Sequence, residues 1–439
     1  MKLSAPILLS QLVYMFILAI FVIVSTYVVQ RYIDSYLNSQ EAFQNPDPSQ
    51  DYRSQANYKR QMASIMTHFK GVSGRRKGFN PNSSQEPVPE DERCLVNYYA
   101  LGCRIAGYLG PFMDGYLDPA EAVAIASQAG CRVFVIDIDY MGSTKNAYPR
   151  IVVRDRQNKS VAETVSNGAE KQTDKNSNIR QVADAIALNA LQSSLPQSSD
   201  PVILVLNFLR LPGSKKSDVT LDFYSAVARN LEPLYQYMLH NESTGTYNRQ
   251  SQEGRLLTNP ISSYSGKVLV FSNADTSGFR DAPAGKYTAK QDLDFLVNLR
   301  LYYNQSKIGV TESPQGQVFG LLEKVGDYQI IPSDRKDQII ERMKLQWTIV
   351  LPNDPAFSPT KEEFEKASSF GVNCVPIAIW DENIGTNQDY IFNARQGVFP
   401  VFSIKAKPAE LRYKKPRAIV PPTPSQQLDA KGGSLRQPI

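Results

Sequence analysis

The chain is 439 residues long with a formal net charge of +5, and at 42% hydrophobic content it can bury one large core or two of ordinary size. So mild and scattered an excess of positive charge argues against nucleic acid as a partner; its only clusters, Arg75, Arg76, Lys77 and Lys414, Lys415, Arg417, read as solvated linker. Four cysteines (Cys94, Cys103, Cys131, Cys374) match no zinc spacing and are far too sparse for a disulfide scaffold. Reduced core thiols are expected, with a Cys94–Cys103 bridge as the alternative.

In chain order, residues 6–29 (PILLSQLVYMFILAIFVIVSTYVV) carry no charged side chain. At a helical rise of about 1.5 Å per residue they reach roughly 36 Å, more than the ~30 Å of a hydrocarbon core. The run is longer than the apolar part of a cleaved signal peptide, and Tyr27 to Arg31 make a poor cleavage site. One retained transmembrane helix over residues 1–30 is therefore predicted, with the lipid bilayer as a partner through residues 6–29. Lys2 and Arg31 leave its orientation open. Residues 31–92, rich in Gln, Asn, Ser and Pro, read as a polar stalk, and residues 414–439, with VPPTPSQQ and AKGGS, as a Pro/Gly-rich tail without a core of its own. Four Asn-x-Ser sequons (Asn82, Asn158, Asn241, Asn304) permit a lumenal location.

Between these limits, over residues 93–413, β-branched and aromatic runs predict strands at 95–101, 132–138, 150–154, 201–207, 267–272, 346–351, 373–380 and 398–404. Helical patterns alternate with them. Residues 118–130 carry Asp118 as N-cap, Pro119 at the first turn and Gly130 at the stop. Residues 178–195 place Ile179, Val182, Ile186, Ala190 and Leu191 on one face. Residues 218–239 should be kinked or divided by Pro233, and residues 358–371 run from Ser358 and Pro359 to Gly371. Continuous apolar strands alternating with helices imply a parallel sheet covered on both faces. Eight strands fit a (β/α)8 TIM-like barrel better than the alternative, a doubly wound open sheet.

The same residues carry a resemblance. LVNYYALGCRIAGYL, then AGCRVFVIDIDY after a helix, resembles the first strand, first helix and second strand of the phosphatidylinositol-specific phospholipase C-like (PLC-like) phosphodiesterase barrels. DPVILVLNF resembles the fourth strand, GKVLVFSNAD the strand closing the first half, and FGVNCVPIAIWDENIG with VFPVFSIKAKPAELRY the end of the second half. The resemblance implies a general-base histidine, a second histidine near the phosphate and, in one branch, a calcium ion held by carboxylates and an Asn.

Most of those groups are replaced here. The family's Ser-Ser-His-Asn-Thr-Tyr motif falls on Cys103 to Tyr108, so Ile105 stands at the base position and Ala106 at the Asn ligand. In the Glu-Leu-Asp motif Val135 replaces Glu and only Asp137 survives. Asn207 replaces a carboxylate, and Phe271 and Asn273 replace phosphate-binding lysines. The two histidines, His68 and His240, fall in the stalk and at a helix end. The resemblance thus implies a degenerate site: no catalytic residues, no cofactor and no metal. Asp137 with Asp139 could form a metal pair, and Asp155 with Arg150, Arg154 and Arg156 an anion site; a relic beside a strand cap, and a solvated loop face, are the favoured readings.

The expected function is a non-enzymatic, membrane-anchored scaffold or binding protein, with other proteins of an assembly held through stalk and tail. Chain ends without a core are ordered only where something grips them, and a membrane-containing virion, with the chain as a minor capsid component at the inner membrane, is the expected setting. An active phosphodiesterase on lipid head groups, with relocated catalytic residues, is the alternative.

Overall fold

The computed structural model describes residues 22, 24–26, 29, 78, 87–104, 106–109, 116–141, 147–152, 178–239, 249–303, 318–352, 358–379, 391 and 404–416. The expected membrane segment, stalk and tail lie almost wholly outside the described residues, as do Ile105, His68, His240, Arg154, Asp155 and Arg156. Among the described residues no helix is long and apolar enough to cross a membrane.

The strands in chain order are β1 (Tyr98–Ala100), β2 (Gly102–Arg104), β3 (Tyr108–Leu109), β4 (Tyr116–Leu117), β5 (Val133–Met141) and β6 (Tyr148–Ile151). They continue with β7 (Val202–Phe208), β8 (Val268–Ser272), β9 (Leu299–Tyr303), β10 (Gly320–Lys324), β11 (Trp347–Leu351) and β12 (Ile404–Ala406). The helices are α1 (Pro119–Ala129), α2 (Asn178–Ile186), α3 (Asp218–Asn230), α4 (Arg249–Thr258), α5 (Leu293–Leu296), α6 (Val325–Gln329), α7 (Lys336–Met343) and α8 (Lys361–Ser369).

A mixed α/β architecture with a curled parallel sheet results. Its order is β2-β5-β7-β8-β9-β10-β11, every neighbouring pair parallel. The two edges do not stay apart. Residues 373–377 bridge both in parallel, Cys374 to Ile349 on β11 and Ile377 to Cys103 on β2. Ile377 N–H donates to Gly102 O and Arg104 N–H to Ile377 O, both at 2.9 Å, while Val350 N–H donates to Cys374 O at 3.0 Å. This segment is the eighth stave, and it closes the sheet into a barrel-like ring.

Three sequence expectations change here. Residues 148–151 form β6, antiparallel to β5 and off the ring, so β7 is the third stave where the sequence suggested the fourth. β12 pairs antiparallel with β1 at the closed end of the ring, so neither it nor β1 is a stave. β9 and β10, absent from the sequence reading, supply the missing pair. β8 remains the stave that closes the first half.

The local signals for helices hold. Asp118 caps α1 by accepting from Glu121 N–H at 3.1 Å, and Gly130 stops it at φ 96°. Pro233 does divide its segment: α3 ends at Asn230 and a 3-10 turn covers Glu232–Tyr237. α8 begins later than expected, capped by Thr360 in a reciprocal capping box with Glu363. The Ser358 hydroxyl instead bonds the backbone of Ala378.

Side-chain alternation builds two apolar layers. Val133, Val135, Ile203, Val205, Phe271 and Trp347 fill the ring's interior, where Phe271 meets Trp347 edge-to-face at 4.7 Å. Their neighbours Phe134, Ile136, Leu204, Leu206, Val268 and Val270 face outward into the layer beneath the helices. β5, β7 and β8 therefore read as continuous apolar runs because both of their faces are covered. Each large side chain so buried contributes about 1.5–3 kcal/mol.

Candidate functional site

In parallel α/β rings, the C-terminal ends of the staves form the mouth where chemistry is placed. Four successive staves contribute here: Arg104 ends β2, Asp137 and Asn207 lie within β5 and β7, and Asn273 follows β8. Inward parity explains why they meet. Asp137 shares its strand face with Val133 and Val135, and the register pairs Asp137 with Asn207 and Val135 with Arg104.

Arg104 donates from Nε (3.2 Å) and Nη2 (3.0 Å) to Asp137 Oδ2, and from Nη1 to Pro352 O at 3.0 Å. The side chains of this ion pair are 10% and 3% exposed. Asn207 Nδ2 donates to the other carboxylate oxygen, Asp137 Oδ1, at 2.7 Å. Asn273 Nδ2 donates to Asn207 Oδ1 (2.9 Å) and Phe208 O (3.0 Å), and Asn273 Oδ1 accepts from Phe208 N–H at 2.7 Å. The result is one continuous polar chain across the mouth.

The sequence-derived positions divide accordingly. Asp137, Asn207 and Asn273 come together as members of this chain. Val135 and Phe271 lie in the apolar interior cluster and take no part in its hydrogen bonds through their side chains. Ala106 is buried, its N–H bonded to Val135 O at 3.0 Å. Ile105 lies outside the described residues. The residue that sequence reading passed over is Arg104, which it assigned no role. The signal was there: an arginine inside an apolar strand run, on the face of Gly102, demands a buried acceptor.

Asp139 does not join Asp137 in a metal pair. Arg210 Nε bonds both Asp139 oxygens at 2.9 and 3.0 Å, and the guanidinium lies 4.8 Å over the Tyr140 ring. Each aspartate is thus taken by a different arginine. Arg150 faces Asp139 across the β5–β6 pairing. Further along the rim, burial pushes the Asp275 carboxyl up, but its bonds to Ser277 and Arg300 outweigh this and hold it below the ordinary carboxylate range.

Among the described residues no three His, Cys, Asp or Glu side chains are grouped to hold a metal ion. The calcium implied by the family does not fit these residues, since the Arg104 guanidinium already places a cation 3.0 Å from Asp137 Oδ2. All four cysteines are free and buried. Cys94 lies in the interior cluster and Cys103 in the outer layer, so the alternative of a Cys94–Cys103 bridge is not formed.

No family model matches the chain, and no curated protein sequence matches it. Several solved structures are similar to it. PLC21 of L. pealei shares 15% identity at a TM-score of 0.45, over 74% of this chain and 40% of that one. The chain thus spans well under half of that relative. A calcium-dependent phosphoinositol-specific phospholipase C from a Pseudomonas species shares 13% identity at a TM-score of 0.42, over 73% and 97% of the two chains. A Ca2+-dependent phosphatidylinositol-specific phospholipase C from Streptomyces antibioticus shares 9% identity at a TM-score of 0.40, over 67% and 96%.

Proposed function

We propose that this chain is a (β/α)8 barrel of the phospholipase C type that has given up catalysis and serves as a membrane-anchored binding or scaffold protein. The observation that supports this is the state of Asp137. Both of its oxygens are engaged, Oδ2 by the Arg104 guanidinium and Oδ1 by the Asn207 amide. Three of that carboxylate's about four lone-pair sites are thus taken and the residue is buried, so it presents little to a substrate hydroxyl or a metal ion, and a general base must reach the proton it takes. Ile105 and Ala106 offer no proton-accepting atom at the positions where the family carries its base and ligand. The membrane tether belongs to this proposal through residues 6–29, and the protein partners through residues 31–92 and 414–439.

The test is an assay of the full chain in phosphatidylinositol vesicles, with and without calcium, for release of inositol phosphate. The expected result is no release above a protein-free blank in either condition. Release that depends on this chain overturns the proposal in favour of an active phosphodiesterase. Cross-linking in the native membrane should trap protein neighbours on residues 31–92 or 414–439; a fully monomeric profile would sink the scaffold role.

A further inference from the structure

At the end of the ring opposite the mouth, the segments that bring the chain into the ring and lead it away are sewn together. β1 pairs with β12, and Asn97 ties the seam from the middle. Its Nδ2 donates to Glu92 O (2.8 Å) and Tyr413 O (2.6 Å), its Oδ1 accepts from Tyr413 N–H (2.6 Å), and its carbonyl accepts from Lys407 N–H (2.9 Å). Glu92 and Arg412 form an ion pair at 3.2 Å with side chains 7% and 6% exposed, and Lys414 joins Glu92 from the solvent side at 3.5 Å.

One polar group in this seam is left over. Lys407 is 0% exposed, and its Nζ has no hydrogen-bond partner among the described residues. A Cβ added at Gly371, just past the C-terminus of α8, would lie 3.9 Å from Nζ and 3.8 Å from Leu411 and Met343. An ammonium sealed against such neighbours is heavily penalised, and a buried lysine escapes the penalty by giving up its proton.

The charged groups around it do not offset that penalty. Glu92 is committed to Arg412 and Lys414. On α7 and just beyond it, Arg342 pairs with Glu323 and Lys344 with Glu341. Lys405 and Glu410, on its own segment, are exposed, as is Lys361 of α8, which pairs with Glu365. Lys366 is the basic group in the last turn of α8. From β1 come Tyr98 and Tyr99, whose hydroxyls burial pushes up, Tyr98 to about 12, so both are uncharged at neutral pH.

We propose that Lys407 is a proton-operated latch on this seam: uncharged, it packs with β12 against β1, and once protonated it must reach water, which parts the two strands. Burial alone brings this amine down to about 7, against 10.5 for an ordinary lysine. The sign follows from proton counting. Between those two values the unfolded chain holds a proton that the folded one does not, so raising pH stabilises the fold. As pH falls through about 7 the folded seam itself must take the proton, and that is where the latch gives.

The test is hydrogen exchange on the full chain in detergent, at about pH 6 and about pH 9 and corrected for intrinsic rates, where one linked proton, at tenfold per pH unit above about 7, predicts roughly hundredfold weaker protection on the acid side. That loss should fall on peptides covering 94–100 and 404–413 and spare those from β5 and β7. Lys407→Met should abolish the difference by keeping the seam closed at both pH values, and Lys407→Arg, which keeps its charge, should hold it open at both. Equal seam protection of the native chain at the two pH values overturns the proposal, and this reading needs no variant. A Lys407→Met chain that retains the native pH profile overturns it equally.

Discussion

Arg104 at the mouth and Lys407 at the seam are both buried basic side chains, yet only one of them is satisfied. The guanidinium finds a carboxylate oxygen for two of its nitrogens and the Pro352 carbonyl for a third. The amine of Lys407 finds nothing. The planar fork of arginine spans acceptors on separate strands, and its charge is permanent, so it is buried only where acceptors are already placed. Lysine can shed its proton and tolerate an apolar site, which makes its burial conditional on pH. The mouth is therefore a fixed structure, and the seam a conditional one.

The sharpest way to break this comparison is Asp137→Ala, which strands a buried guanidinium and should cost about 3–5 kcal/mol of unfolding free energy. Replacing Arg104 and Asp137 together by leucine should recover most of that loss, within about 1 kcal/mol of the native chain. If the single change is nearly silent in a denaturant titration, the polar chain across the mouth does not hold it together. Next in size is Asn373→Ala. Asn373 Oδ1 accepts from Thr348 N–H at 3.0 Å, and its Nδ2 donates to Val96 O and Tyr98 O at 2.8 and 3.0 Å, so it joins the last stave to the seam. Removing it should cost about 3 kcal/mol, by leaving several buried backbone groups unpaired.

Gly320→Ala tests the ring away from either end. A Cβ there would meet Arg300 O at 2.6 Å, closer than packing allows, so β9 and β10 must separate. A loss of about 1–3 kcal/mol is expected by thermal or chemical unfolding. The smallest effect should come from Arg210→Ala. Its side chain is 53% exposed, and Asp139 keeps the bond from Tyr140 N–H at 2.8 Å. A change of about 1 kcal/mol or less is expected, shrinking further in high salt. A larger loss would mean that the second mouth aspartate is as dependent on its arginine as Asp137 is.

Much of this was legible in the residues. β5, β7, β8 and β11 announce themselves because strands covered on both faces must be apolar throughout. Asp118, Pro119, Gly130 and Pro233 mark helix ends because caps and breakers act through local backbone geometry. β9 and β10 were hidden because they are short and carry the charged Arg300, Glu323 and Lys324, the first two of which find their ion-pair partners outside their own strands. Glu323, for example, is bonded by the Tyr328 hydroxyl and paired with Arg342.

By itself, the sequence determined which runs must be buried and where most helices begin and end. Each of these is a property of one side chain or one short window. Only the tertiary structure decided that β6 runs against β5, that residues 373–377 close the ring, that Arg104 claims Asp137, and that Lys407 is left without a partner. Strand direction, ring closure and the pairing of buried charges join residues far apart in the chain, and no local pattern encodes which of them will meet.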